Sequence, residues 1–334
     1  MTSRVAAIDC GTNSIRLLVA DVDDAGGLTE LDRRMEIVRL GQGVDRTGEL
    51  HPEALDRTLA ATRQYAQVIE SLGATTVRFV ATSATRDARN RDEFFSRVHD
   101  VLGVGVEVIS GDEEAALSFR GATSAVAQTH PGPFLVVDLG GGSTELVLGT
   151  ESVEAARSID VGSVRMTERH FRASHGGADT SPGNHPGDVP PEAPPSPEAV
   201  AEARADVRAA LDDAARAVPF GKARTLVGLA GSVTTITAHA LGLPAYDRDR
   251  VGGAELPVEA VLASCQALLA SSRQERLEMG FLHPGRVDVI AAGALVWSEV
   301  VERVAHDVSA AGGALTEVVT SEHDILDGIA LALG

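Results

Sequence analysis

The chain is poor in several things at once, beginning with cysteine and lysine: Cys10, Cys265 and Lys222 are its only examples in 334 residues. Two isolated thiols, one in a turn and one in a helical stretch, read as small buried side chains in a reducing compartment. A disulfide or a cysteine metal site is the weaker reading. Also missing is any apolar run of about 18 residues, so no membrane-spanning helix is expected. The N-terminus enters an apolar strand without the basic segment and apolar stretch of an export signal, and a cytoplasmic location is expected. Positive charge is in deficit as well, the net charge being −19. That argues against wholesale binding to nucleic acid or to an anionic membrane surface. Any anion site must then be local. Arginine supplies 28 of the 29 basic residues. Its planar fork suits phosphate better than lysine's point charge. Genome composition explains the excess equally well, and no function is read from it.

What the chain does have is a repeat. Ala6-Ala7-Ile8-Asp9-Cys10-Gly11-Thr12-Asn13-Ser14 is followed by the apolar run Ile15-Arg16-Leu17-Leu18-Val19. At a spacing of 129 residues, Leu135-Val136-Val137-Asp138-Leu139-Gly140-Gly141-Gly142-Ser143 is followed by Thr144-Glu145-Leu146-Val147-Leu148. Both read apolar run, Asp, x, Gly, x, x, Ser, apolar run, which predicts a strand, a tight turn and a returning strand. Glycine lets turn backbone approach a ligand and aim its N–H groups at it. The Asp at the strand end offers a metal-facing carboxylate, and the Ser a hydroxyl donor. One such turn is ordinary in hairpins; two, each ending an apolar strand, point to paired phosphate-gripping loops.

Length suits two domains of about 150 residues, and 44% apolar content is normal for a chain that buries real cores. Strands are expected at about 30–40, 77–81, 106–109, 134–139, 225–229 and 316–320. Helices are expected from Pro52 to Gly73 and over 89–102, 112–126, 163–171, 198–218, 232–241, 258–269 and 284–304, with a last one from about 324. Strands alternating with helices indicate an α/β layer fold. Residues 173–197, rich in proline and glycine, cannot pack a core and read as a surface loop. His175 and His185 within it read as solvated rather than metal-binding.

Three further segments carry polar groups at strand ends. Ser110-Gly111-Asp112-Glu113-Glu114-Ala115 opens a helix with acids that the helix dipole stabilises. Plain capping with Asp112 as cap explains this; so does a carboxylate placed to deprotonate an attacking water. Ala81-Thr82-Ser83-Ala84-Thr85-Arg86 leaves a strand and either donates to phosphate or starts a helix. Gly228 to Thr235 runs from a strand into a helix N-terminus that suits an anion. His323-Asp324 reads as helix capping, since no further His/Asp cluster accompanies it.

In order and wording these motifs resemble the exopolyphosphatase / guanosine pentaphosphate phosphohydrolase family, within the sugar kinase, heat-shock ATPase and actin superfamily. The resemblance extends to Ala230-Gly231-Ser232-Val233-Thr234-Thr235, to Arg286–Ala294 and to Leu326-Asp327-Gly328-Ile329, and 173–197 looks like an insertion. It implies two ribonuclease-H-like α/β domains with mixed sheets flanked by helices, one over 1–127 plus a terminal helix at about 322–334, the other over 128–321. The active site is then expected in the cleft between them. Carried over by position, Glu114 matches the catalytic base. Asp9, Gly11, Thr12, Asn13 and Ser14 match the first phosphate loop, and Gly140, Gly141, Gly142 and Ser143 the second. Asp138 and Glu145 match acids that hold the metal, and Arg86 a basic residue lining the cleft. The resemblance implies Mg²⁺ (or Mn²⁺), stimulation by K⁺, a homodimer, and either inorganic polyphosphate or pppGpp as substrate. Longer relatives carry a further C-terminal helical domain, so short polyphosphates are expected to be the better substrates. A small-molecule kinase and a nucleotide-gated assembly protein are the readings from other classes.

Overall fold

Each of the repeated loops sits at the end of the central hairpin of its own β-sheet, and the second sheet repeats the strand order of the first. The computed structural model describes residues 2–171 and 192–334. His175, His185 and positions 173–191 of the expected insertion lie outside the described residues.

In the first sheet, β1 (Thr2–Cys10) and β2 (Ser14–Asp23) form the antiparallel hairpin, with Asp9 opposite Arg16, and β3 (Leu28–Ile37) extends it. Strand β1 is buried on both faces by its period of two. Ala6 and Ile8 face one apolar cluster with Leu55 and Leu59; Val5 and Ala7 face another with Leu117 and Ile329. Strand β3 stops at Ile37 because the N–H groups of Val38 and Arg39 turn to the Asn13 carbonyl. After α1 (Val44–Thr47), α2 (Pro52–Leu72) opens on Pro52, where a missing N–H costs nothing, and closes at Gly73 with φ 71°. Parallel strands β4 (Thr76–Ala81) and β5 (Val106–Val108) then complete the order β3-β2-β1-β4-β5. Helices α3 (Ser83–Asp87), α4 (Arg91–Leu102) and α5 (Gly111–Val126) follow β4 and β5. The cap of α5 is Ser110, whose side chain accepts from the Glu113 N–H; Asp112, expected as cap, lies in the first turn with Glu113 and Glu114. A serine one residue ahead of Gly111 reaches the third amide, a task Asp112 cannot perform from inside the helix.

The second half restarts with β6 (Phe134–Leu139), β7 (Thr144–Gly149) and β8 (Val153–Ile159), antiparallel neighbours like β1–β3. Helix α6 (Ser163–Met166) continues as a π turn over Thr167–Phe171. Then come α7 (Pro197–Ala217), β9 (Thr225–Leu229), α8 (Ala230–Ala240), α9 (Arg248–Val251) and β10 (Glu255–Pro257). The chain ends through α10 (Val258–Ala270), α11 (Arg273–Glu278), α12 (Ile290–Ala310), β11 (Glu317–Thr320) and α13 (Ile325–Leu333). The order β10-β11-β9-β6-β7-β8 repeats that of the first sheet with one short antiparallel edge strand added. This is the expected α/β architecture of two mixed sheets flanked by helices.

The helix expected over 284–304 is instead a 3-10 turn at Pro284–Arg286, a break, and then α12. The break has a cause: Arg276 Nη1 donates to the Val287 carbonyl at 2.8 Å, taking the acceptor a continuing helix needs. Helix α13 returns to the first half and packs on β1, β2 and α5. Its cap is Asp324, in a reciprocal pairing with Asp327, which bears out the capping role expected there. Helices α5 and α13 cross backbone to backbone. A Cβ on Gly121 would lie 1.8 Å from the Asp324 carbonyl oxygen, and one on Gly328 2.0 Å from that of Leu117. Among the described residues no helix is long and apolar enough to cross a membrane.

Candidate active site

The two loops close in the same way. The Gly11 N–H donates to the Ser14 carbonyl and the Gly140 N–H to the Ser143 carbonyl, each at 3.0 Å. They also touch each other. A Cβ on Gly142 would lie 2.4 Å from Ser83 Oγ and 2.6 Å from Thr12 Oγ1, so only glycine fits there. Gly11, Thr12, Asn13 and Ser14 from the first loop and Gly140, Gly141, Gly142 and Ser143 from the second line one cavity of about 90 Å³. The carboxylates of Asp9, Glu114 and Asp138 line it too.

Those acids come from three directions and are buried. Asp9, at the end of β1, accepts from Arg16 Nε at 2.9 Å and Nη2 at 2.6 Å, and Arg16 also engages Asp324 at the start of α13. Asp138, at the end of β6, accepts from Ser118 Oγ at 2.6 Å. Glu114, in the first turn of α5, meets Arg86 Nη1 at 2.7 Å. Burial pushes the Glu114 carboxyl up to about 7; Arg86 opposes the shift, while Asp138 and Asp9 add to it. Burial likewise raises Asp138, to about 6, with repulsion from Asp324 next. Such shifts are the mark of acids held together at a working site.

Two expected residues stand back from the cavity. Arg86 does not line it; its Nη1 is committed to Glu114 and to the Ile109 carbonyl at 3.0 Å. Glu145 does not line it either. It sits on β7 in register with Asp138 and accepts from Ser158 Oγ at 2.7 Å. Burial, with Glu114 and Asp138 adding repulsion, raises its pKa well above the ordinary carboxylate range.

The cavity is completed by Arg16 and Ser163, which no motif marked, by Thr82, Ser83 and Ser232, from the two segments left open between anion binding and a helix start, and by Arg286. A signal existed for some of them. Arg16 is a lone charge inside a buried apolar strand, at the position a hairpin pairs with Asp9. Ser118, which does not line the cavity but donates to Asp138, lies four residues after Glu114, hence on the same helix face. Arg286 entered only as the first residue of the Arg286–Ala294 segment of the resemblance, with no role attached. Its guanidinium makes no side-chain hydrogen bond or ion pair among the described residues; desolvation lowers its pKa and Arg16 adds to that, while Tyr246 and Glu322 oppose it at longer range. A half-buried guanidinium with no direct hydrogen bond or ion pair, lining one cavity with two loops of N–H donors, suits an anion site. Arg16, Arg286, Ala230 and Gly231 are shared with an adjoining cavity of about 460 Å³ that Tyr246, Phe281 and Arg33 also line. Among the described residues the one buried side-chain polar atom with no partner is Asn13 Oδ1, in the first loop.

Comparison with known proteins agrees with this geometry. The profile of the Ppx/GppA phosphatase family matches residues 18–180 and 187–323. The chain is 46% identical over 339 residues to a protein named Exopolyphosphatase 2 from Mycobacterium tuberculosis, covering 99% of this chain and 98% of that one. A crystal structure described as an exopolyphosphatase-like protein superposes with a TM-score of 0.91 at 47% identity, covering 100% of this chain and 98% of the other. The Aquifex aeolicus Ppx/GppA family member superposes with a TM-score of 0.76 at 27% identity, covering 99% of this chain and 97% of its own.

Proposed function

The chain belongs to the Ppx/GppA phosphatase family, and from that premise we propose that it is an exopolyphosphatase, a phosphoric anhydride hydrolase releasing terminal phosphate from inorganic polyphosphate. One observation carries this reading: two glycine loops in contact, sharing a cavity with a buried carboxylate, Glu114, and with Arg286, whose guanidinium makes no direct ion pair among the described residues.

The end of the polyphosphate chain lies between the loops. Their backbone N–H groups and the hydroxyls of Ser14 and Ser143 donate to the transferred phosphoryl group, whose charge spreads over its oxygens in the transition state. Arg286 meets the next phosphates, toward the 460 Å³ cavity. Glu114 takes the proton of a water aligned opposite the leaving chain, and a carboxyl near 7 suits a base working at neutral pH. Arg86 fixes the orientation of that carboxylate through its 2.7 Å contact. Asp9 is held by Arg16 at the mouth of the first loop.

The donors here suit a hard divalent cation, being carboxylates crowded enough to raise one another's pKa. Among the described residues no cluster of three or more metal-ligating side chains could hold an ion unaided. That fits Mg²⁺, which is usually bound by one or two carboxylates together with waters and substrate phosphates. Asp138, which lines the cavity, would hold the ion, and Glu145, in register with it on β7 but outside the cavity, would add its charge from behind. When bound, the ion supplies charge neutralisation on the phosphoryl oxygens.

A second reading is favoured by one feature. Tyr246 and Phe281 line the adjoining 460 Å³ cavity, which has room for a nucleoside, so pppGpp is the alternative substrate. The test is phosphate release from short polyphosphate, long polyphosphate, pppGpp and ATP side by side, with Mg²⁺ or Mn²⁺ and with K⁺ varied. Release from polyphosphate above the other substrates is expected. Release from none of them refutes the reading, and acceptor-dependent ADP formation would mark a kinase.

A further inference from the structure

Arg165 lies far from Glu114 in the chain and outside the phosphate cavity, yet it is 9% exposed and makes four side-chain hydrogen bonds that span the two halves of the molecule, besides a longer ion pair to Asp160 at 3.9 Å. Its Nε donates to the Gly142 carbonyl of the second phosphate loop at 2.6 Å. Its Nη2 donates to Ser83 Oγ at 3.2 Å and to Asp87 at 2.6 Å, and its Nη1 to Asp45 at 2.5 Å. Asp45, Ser83 and Asp87 belong to α1 and α3 of the first half, while Gly142 follows β6 of the second. The backbone of α6 completes the grip. The N–H of Ser163 donates to the Gly140 carbonyl, and those of Val164 and Arg165 to the Gly141 carbonyl, at 2.8 to 3.1 Å.

We propose that Arg165 is a positioning residue for the hydrolysis: a clasp that holds the second phosphate loop in register against the first. This rests on the reading of the cavity as a phosphoryl-transfer site. The guanidinium fork is rigid and planar, so contacts on three of its edges fix distances that a flexible ammonium would leave loose. What it fixes is the contact between loops, where Gly142 lies against Thr12 and Ser83 with no space for a side chain. A displacement of about 1 Å in groups that grip a transferring phosphoryl costs on the order of a hundredfold in rate. Because the polyphosphate chain is also held by Arg286, loosening the loops is felt in turnover more than in binding.

The fold should survive the test. Asp45 and Asp87 have side chains 26% and 41% exposed, so both can hydrate when the arginine is removed, and Asp45 keeps Arg169. Arg165→Met is expected to lower kcat for polyphosphate at least tenfold while KM changes less than threefold, with Arg165→Lys recovering part of the loss. The double variant Asp45→Asn/Asp87→Asn should reproduce most of the Arg165→Met loss, and adding Arg165→Met to it should cost less than a further threefold. Hydrogen exchange should speed up at 11–14 and 140–143 in Arg165→Met and stay unchanged in β1 and β6. The clasp is overturned by a kcat within threefold of the wild type, by an aspartate double variant of full activity, or by unchanged exchange in the loops. A wild-type protein that releases no phosphate would instead refute the enzymatic reading, and the exchange comparison would still decide the clasp.

Discussion

Glu114 combines two opposed influences, a buried position that favours its neutral form and an arginine contact that favours its charged form. The balance near 7 gives a definite pH signature. A general base must be ionised, so kcat should fall about tenfold per pH unit below that point and level off above it. Glu114→Gln should lose on the order of 10²–10⁴-fold in kcat with little change in KM, and the residual rate should no longer show that acid limb. A variant retaining the limb would assign it to another group. Arg286 invites the opposite experiment. Its guanidinium lacks a partner in the described structure, so Arg286→Met should raise KM for polyphosphate at least tenfold, about 1.4 kcal/mol of binding. The same change removes a partly desolvated charge that no direct ion pair offsets, so the melting temperature should hold or rise. A drop in melting temperature would mean the guanidinium is paired after all.

Elements were legible in the sequence where their signals were local. The hairpins of β1–β2 and β6–β7 announce themselves through apolar runs around Asp-x-Gly, and α2 through Pro52 and Gly73 at its ends. Strand β8 escaped because its half-exposed edge pattern, Val153–Ile159, lacks an apolar run, and β10 because three residues carry no period. The break before α12 depends on Arg276 reaching Val287, a contact made only in the folded chain. The site divides likewise. Its loops and Glu114 follow from neighbours in sequence, whereas Arg16 bridging Asp9 and Asp324 joins residues about as far apart as the chain allows. Elements also carry a stability prediction. Gly121→Ala would drive a methyl group into the Asp324 carbonyl where α5 crosses α13. A loss of about 1–3 kcal/mol or more is expected in denaturant unfolding. A neutral result would show that the helices can separate freely.

The molecule as a whole carries a net charge of −19, and part of that negative charge is gathered where its two halves meet. Carboxyls raised by burial, such as Asp138 and Glu145, favour folding when protonated. Their contribution is present at low pH and is lost as pH rises from the ordinary carboxylate range through the raised values. In a chelator the protein should therefore melt at a lower temperature at pH 8 than at pH 6, and Mg²⁺ should narrow the gap. Asp138→Asn/Glu145→Gln should flatten the profile and abolish the effect of Mg²⁺; an unchanged profile would place the ion elsewhere. The glycine crossing makes this junction a one-sided lever. Gly121 packs on the Asp324 carbonyl, so the cap acid sits at the pivot, while Glu114 lies seven residues, about 10 Å, along α5 from it. A tilt of about ten degrees at the crossing would swing the base by nearly 2 Å and leave the start of α13 almost in place, so small rocking of the halves is geared up at the carboxylate that must meet water.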